Sequence, residues 1–280
     1  MTEPSIIHSR RRTAISHVAV GNVTTPITRP LPKRLLGVWA HPDDECYLSA
    51  GLMARVAAAG GHVRIVCATS GELGTSDPTE AGTERFAYSR RIELQSSLAV
   101  LGVHDVHFLG LPDGGCHDAD DATMAAVVAD HIADLGADTV VTFGPDGITG
   151  HPDHAAVSRW TTATARSGVE VMYATMTHDF VDRCRAVHDG IGLFGDLPGG
   201  RPRSVHRSHV ALQVALDHGE LIRKRRALRE HGSQTASLAE LVGEETYFSW
   251  WRDECFRRPT GSEICSARAA AERIPVGVER

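Results

Sequence analysis

Two stretches of the 280-residue chain carry residues suited to metal chemistry, in matching order. The first, VWAHPDDECYLSAG (38–51), follows an apolar run with a histidine, a proline and the consecutive acids Asp43, Asp44 and Glu45. The second, TFGPDGITGHPDHAAV (142–157), sets His151, Asp153 and His154 just ahead of a helical pattern. Adjacent carboxylates repel one another and resist burial, so something positive must compensate them. A divalent cation shared by the two His-Pro-Asp elements would do so. Zinc takes nitrogen and oxygen ligands, and a catalytic zinc keeps three from the protein and one position for water. His41, Asp44 and His154 make such a set, with Zn²⁺ the expected ion and Fe²⁺ suited to the same ligands in a reducing cell. A lone His-Pro-Asp reads more simply as a proline turn with a capping aspartate. Two at corresponding strand ends favour the shared cation.

For those elements to meet, the fold must carry both to one rim. LLGVWA (35–40), HVRIVCAT (62–69), DVHFLGL (105–111), ADTVVTFG (137–144) and VEVMYATMT (169–177) read as strands. Between them, 46–60, 84–102, 121–136 and 154–168 have helical spacing. This alternation implies an α/β, Rossmann-like fold: a mostly parallel sheet with helices on both faces. Ligands in such sheets sit beyond the carboxyl ends of the strands, where both motifs fall. After residue 178 the pattern weakens. Residues 192–204 look loop-like, HVALQVALDHGELIRKRRALREHG (209–232) reads as one long helix, and YFSWWRDECF (247–256) is aromatic-rich, its YFSWW read as core packing ahead of contact with an acyl or aromatic aglycone. Residues 1–33, with scattered Pro, Thr and Arg, read as a mobile tail, and 34–280 as a single domain.

Composition narrows the function. A formal charge of −6 gives no support to nucleic-acid binding, and RKRR (223–226) sits among acids on a helical face. The six cysteines form no C-x-x-C pair, which fits a reducing cytoplasm better than a disulfide scaffold. No apolar run approaches the roughly 18 residues of a membrane span. Arg10, Arg11 and Arg12 lack a following apolar region, so a secretory signal is not expected; an organelle transit segment stays open. Oligomeric state is open too, a homo-oligomer included.

AHPDDE with a later GHPDHAAV resembles the PIG-L/LmbE-like family of zinc-dependent N-deacetylases acting on N-acetylglucosaminyl compounds. The likeness extends through TSGELGT, RRIELQSSLAVLGV and VHFLGLPDG, and touches RALREHGSQ. It implies a small amino-sugar conjugate as substrate and His41, Asp44 and His154 as metal ligands. Asp43, pointing away from its neighbour, is left as general base. A protonated His151 would stabilise the oxyanion, and Asp153 would orient a histidine. Glu45 would support the centre or the helix start. By the same resemblance Glu72, Arg90 and Asp113 would bond sugar hydroxyls, with Arg91 competing for the Arg90 role. Thr149 stands where the mycothiol-pathway deacetylases carry a tyrosine, so membership of that subfamily does not follow. Alternatives are an amidase of a larger amide, such as a mycothiol S-conjugate, and a non-catalytic metal-binding protein. A dinucleotide-binding protein is disfavoured, because the first strand–helix turn holds AHPDDE and no G-x-G-x-x-G.

Overall fold

RLLGVW is apolar at nearly every position because it forms a central parallel strand, buried on both faces. In the computed structural model, which describes residues 29–192, 194 and 201–272, this segment is β1 (Arg34–Trp39). There follow α1 (Asp44–Ala58), β2 (His62–Cys67), α2 (Glu80–Leu101), β3 (Asp105–Phe108) and α3 (Asp121–Leu135). The alternation continues with β4 (Thr139–Phe143), α4 (Pro152–Ala163), β5 (Glu170–Thr177) and α5 (His178–Ile191). The remainder comprises β6 (Ser204–Val205), β7 (Leu212–Ala215), α6 (His218–Glu230), α7 (Gly232–Val242), α8 (Glu244–Trp250), β8 (Asp253–Arg257) and α9 (Gly261–Ala271).

The sheet runs β3-β2-β1-β4-β5-β8-β7, with β6 beside β5. Pairing is parallel from β3 to β5, and β8 is antiparallel to both β5 and β7. From β1 the chain steps outward to β2 and β3, then returns to build β4 and β5 on the other side. The direction of winding therefore switches between β1 and β4, and a crevice opens beyond their carboxyl ends. Both His-Pro-Asp loops leave from those two strands. The mostly parallel α/β architecture expected from the sequence is the one observed.

Two local expectations need correction. The segment 209–232 is not one helix: Leu212 to Ala215 form an edge strand before α6 begins. Val210, Leu212, Val214 and Leu216 are all buried, a period of two. Asp217 then starts the helix with a reciprocal capping box to Glu220. The aromatic YFSWW packs in the core as expected, with Tyr247, Phe248 and Trp250 buried, and the residues after it form a strand, β8, between β5 and β7. The supposed tail is held from its first described residue: Arg29 pairs with Glu170, and Leu31 packs on the core. The backbone N–H groups of Lys33 and Arg34 donate to Asp138 Oδ2 at 2.9 and 3.0 Å. Residues 1–28, with the arginine cluster, and 195–200 of the loop-like stretch lie outside the described residues. Among the described residues no helix is long and apolar enough to cross a membrane, and all six cysteines are free thiols.

A buried ion pair fastens the C-terminal part to α1. Lys224 Nζ lies 2.8 Å from Glu254 Oε1, with both side chains 1% exposed. Lys224 also donates to the Tyr47 carbonyl at 2.7 Å. Glu254 accepts the N–H groups of Gly51 and Leu52 at 2.7 and 3.0 Å. Removing one charge strands the other in the core. Lys224→Met is therefore expected to cost about 3–5 kcal/mol, read from a lowered urea midpoint. A loss below about 1 kcal/mol would show that the pair contributes little net stability.

Candidate metal centre

The three clustered acids each find a different positive partner. Arg90 Nη2 lies 3.3 Å from Asp43 Oδ2. Asp44 meets His154 Nε2 at 3.4 Å through Oδ1 and His41 Nδ1 at 3.5 Å through Oδ2. Glu45 Oε1 lies 3.1 Å from His231 Nε2. Burial, with Asp44 adjacent, pushes the Asp43 carboxyl up although Arg90 opposes the rise. Burial would raise Asp44 as well, but His154 and His41 outweigh it and hold that carboxyl down. Asp44 also accepts the His41 backbone N–H at 2.8 Å, which closes the turn between β1 and α1.

The second loop is organised by its proline and glycine. Pro152 occupies the first turn of α4, where a missing N–H costs nothing, and His151 is the N-cap. The Asp153 N–H donates to His151 Nδ1 at 3.2 Å, which leaves the ring's own N–H on Nε2. Burial and the nearby His41 lower the His151 pKa. The Phe143 ring stacks on His154 with centroids 4.0 Å apart. Gly147, at φ 64°, turns its carbonyl to accept from His154 Nδ1 at 2.9 Å; a Cβ there would sit 2.9 Å from the His154 Cβ.

These contacts set the tautomers. His154 donates its Nδ1–H to that carbonyl, so its Nε2 carries a lone pair. His41 Nε2 lies 3.1 Å from Asp113 Oδ1 and 3.3 Å from Asp153 Oδ2, so its Nε2–H is the donor and Nδ1 carries the lone pair. The two lone-pair nitrogens face each other at 3.1 Å. Two neutral imidazoles so placed repel; the arrangement calls for a cation between them. Burial disfavours a charge on His41, yet the bonds to Asp113, Asp153 and Asp44 prevail and push it up to about 12. A proton or a metal ion answers the same demand. Donors around a tetrahedral zinc at about 2.1 Å lie roughly 3.4 Å apart. The separations among His41, His154 and Asp44 run from 3.1 to 3.5 Å, so the residues fit that ion. His151 also has a nitrogen within 4.8 Å of those of His41 and His154.

The fold thus brings His41, Asp43, Asp44, His151, Asp153 and His154 together. Asp153, fully buried, accepts from the Gly114 and Cys116 N–H groups at 2.8 and 3.0 Å while facing His41. The three residues expected at a sugar lie close by, but with other contacts. Asp113 accepts the Leu73 N–H at 2.9 Å and flanks His41. Glu72 accepts the Asp113 N–H at 2.9 Å. Arg90, 4% exposed, donates to the Pro42 carbonyl and, at 2.9 Å, to that of Gly71. Gly71, at φ 64°, leaves no room for a side chain: its Cβ would lie 1.8 Å from Arg90 Nη1. Arg91 bonds Ser70 Oγ at 2.7 Å. Thr149 Oγ1 lies 3.4 Å from His154 Nδ1. His178 is an exposed residue at the start of α5. What the sequence does not signal is the joining of Glu45 to His231 across 186 positions.

Asp43, Asp44 and His154 line a cavity of about 180 Å³ whose other walls include Leu48, Ile148, Met176, Leu238 and Trp251. A second cavity of about 380 Å³ shares Tyr47, Leu48, Ile148, Met176 and Trp251 with it.

Fold and site define a class: a mostly parallel α/β sheet flanked by helices, with a histidine–carboxylate centre at its switch point. The chain belongs to the PIG-L family, GlcNAc-PI de-N-acetylase, whose family model matches residues 36–165. A 1D-myo-inositol 2-acetamido-2-deoxy-alpha-D-glucopyranoside deacetylase from Actinosynnema mirum is 33% identical over 250 residues, covering 79% of this chain and 87% of that protein. A protein of the same description from Mycobacterium sp. (strain KMS) is 36% identical over 170 residues. That match covers 53% of this chain and 55% of the relative, so the chain spans little more than half of that protein's length. Among solved structures, N,N'-diacetylchitobiose deacetylase from Pyrococcus horikoshii aligns with a TM-score of 0.54 at 22% identity, covering 82% of this chain and 85% of that one. This likeness establishes the shared fold.

Proposed function

We propose that the protein is a metal-dependent hydrolase that removes the acetyl group from an N-acetylated amino-sugar conjugate. The observation that carries this reading is the pair of imidazole lone pairs, delivered by separate loops to 3.1 Å with Asp44 closing the triangle. His41, Asp44 and His154 would hold the ion, Zn²⁺ before Fe²⁺. A divalent ion held there would polarise an amide carbonyl and acidify water toward neutrality. Asp43 lines the cavity beside two of the ligands and takes the proton from the attacking water. His151 donates to the developing oxyanion through Nε2–H, as a neutral ring in place of the imidazolium expected from the sequence. Asp43 then returns its proton to the departing amine. Asp113 and Asp153 fix the His41 tautomer, as outer partners of metal-binding histidines do. The two relatives, deacetylases of a 2-acetamido-2-deoxy-glucopyranoside, support the acyl group and the sugar.

We read residues 34–280 as one domain, supported by the continuation of a single sheet into β8 and β7. The free thiols fit a cytoplasmic location. One observation favours the second reading, an amidase of larger amides: the cavity of about 180 Å³ beside Asp43 is walled mainly by apolar side chains and exceeds an acetyl group. Purified protein with one equivalent of zinc is expected to release primary amine from N-acetylglucosaminides. Chelation should abolish the release, and added zinc should restore it. Amine freed only from larger N-acyl glucosaminides would select the amidase; amine freed from neither would refute the hydrolase.

A further inference from the structure

The residue proposed as the base is gripped from two sides, and one grip comes from far along the chain. Asp43 has φ 127° and ψ −28°, a backbone conformation that residues with a side chain avoid. Its N–H donates to Glu45 Oε2 at 3.0 Å. The other oxygen of Glu45 lies 3.1 Å from His231 Nε2. Glu45 and His231 are both fully buried, so their contact is shielded from water. His231 joins α6 to α7, beyond the residues matched by the family model. Among the described residues its Nδ1 has no hydrogen-bond partner, and the ring's hydrogen bond is the one to Glu45. Thr235 donates to the His231 carbonyl at 3.0 Å and holds the junction. On the opposite side, Arg90 pairs with the Asp43 carboxylate.

We propose that His231 and Glu45 are positioning residues: through the Asp43 N–H they keep the base in its strained backbone conformation, with its carboxylate in the cavity. The strain explains why a dedicated anchor is needed. An Asp43 free of Glu45 would relax toward negative φ and carry its carboxylate away from the ligands. Arg90 holds the carboxylate and the carbonyl side of the same peptide through Pro42, and Glu45 holds its N–H. The C-terminal helices thereby reach the proposed base as well as a wall of its cavity. This inference rests on the assignment of Asp43 as base, and its test has an arm that needs no turnover.

The experiment compares His231→Leu, Glu45→Ala and the conservative His231→Gln, which keeps an N–H for Glu45, using N,N'-diacetylchitobiose as probe. Misplacement of a reacting group by about 1 Å costs on the order of 100-fold, so kcat in His231→Leu should fall by about that factor with KM within about twofold. Zinc content should be unchanged, and His231→Gln should recover most of the rate. The second arm is a crystal structure of His231→Leu, or of Glu45→Ala if the first does not fold, in which Asp43 should have left positive φ. If the unmodified protein releases no amine from this probe, the crystal structure alone decides the positioning role. Asp43 retained at positive φ in the variant, or a rate within about threefold of the parent, overturns the inference.

Discussion

Asp43→Asn is expected to lower kcat by about three orders of magnitude, the middle of the range for loss of a general base. KM and zinc content should stay near those of the parent. Asparagine keeps the size of the side chain, the backbone N–H that reaches Glu45 and an oxygen for Arg90. It removes only the capacity to accept a proton. The proposed ligand nitrogens of His41 and His154 gain their orientation from Asp113, Asp153 and the Gly147 carbonyl, none of which the substitution touches. Steady-state amine release beside metal analysis separates the two properties. A variant within about tenfold of the parent would remove Asp43 from the role of base.

His41→Ala should act on the other property and empty the site. His41 is one of the three residues proposed to hold the ion, and its Nδ1 is 3.1 Å from the His154 lone pair. Losing only the hydrogen-bond partner of a metal-binding histidine typically costs about 10–100-fold in affinity. Deleting the histidine itself should exceed that, while Asp153→Asn should fall within it. Metal content after dialysis, with the visible spectrum of the Co²⁺-substituted protein as a geometric check, reads both. One equivalent of zinc held by His41→Ala as tightly as by the parent would refute the ligand assignment.

The parallel half of the fold was legible because local and global signals agree there. Strands buried on both faces read as unbroken apolar runs such as LLGVW, and α2 and α3 end at glycines. The meeting of the two His-Pro-Asp motifs was legible because both follow strands that end on one rim. The antiparallel extension was harder to read. In 209–232 the alternation of Val210 to Leu216 runs directly into the helical pattern of α6, and a long window averages the two periods. The roles of Asp113 and Arg90 depend on where loops lie in space. A turn aspartate and a helix arginine carry no local mark of facing His41 and Asp43. The Glu45–His231 contact is wholly tertiary, so no spacing rule reaches it. The resemblance to a family supplied residue types at the site, whereas the partners of each ring in the fold assign which nitrogen carries the hydrogen.

The most direct measurement is anomalous diffraction at the zinc edge from crystals of the zinc-loaded protein. A single peak should lie within about 2.0–2.2 Å of His41 Nδ1, His154 Nε2 and an Asp44 oxygen. A peak instead on the outer side of His41, between Asp113 and Asp153, or no peak near either histidine, would contradict the account.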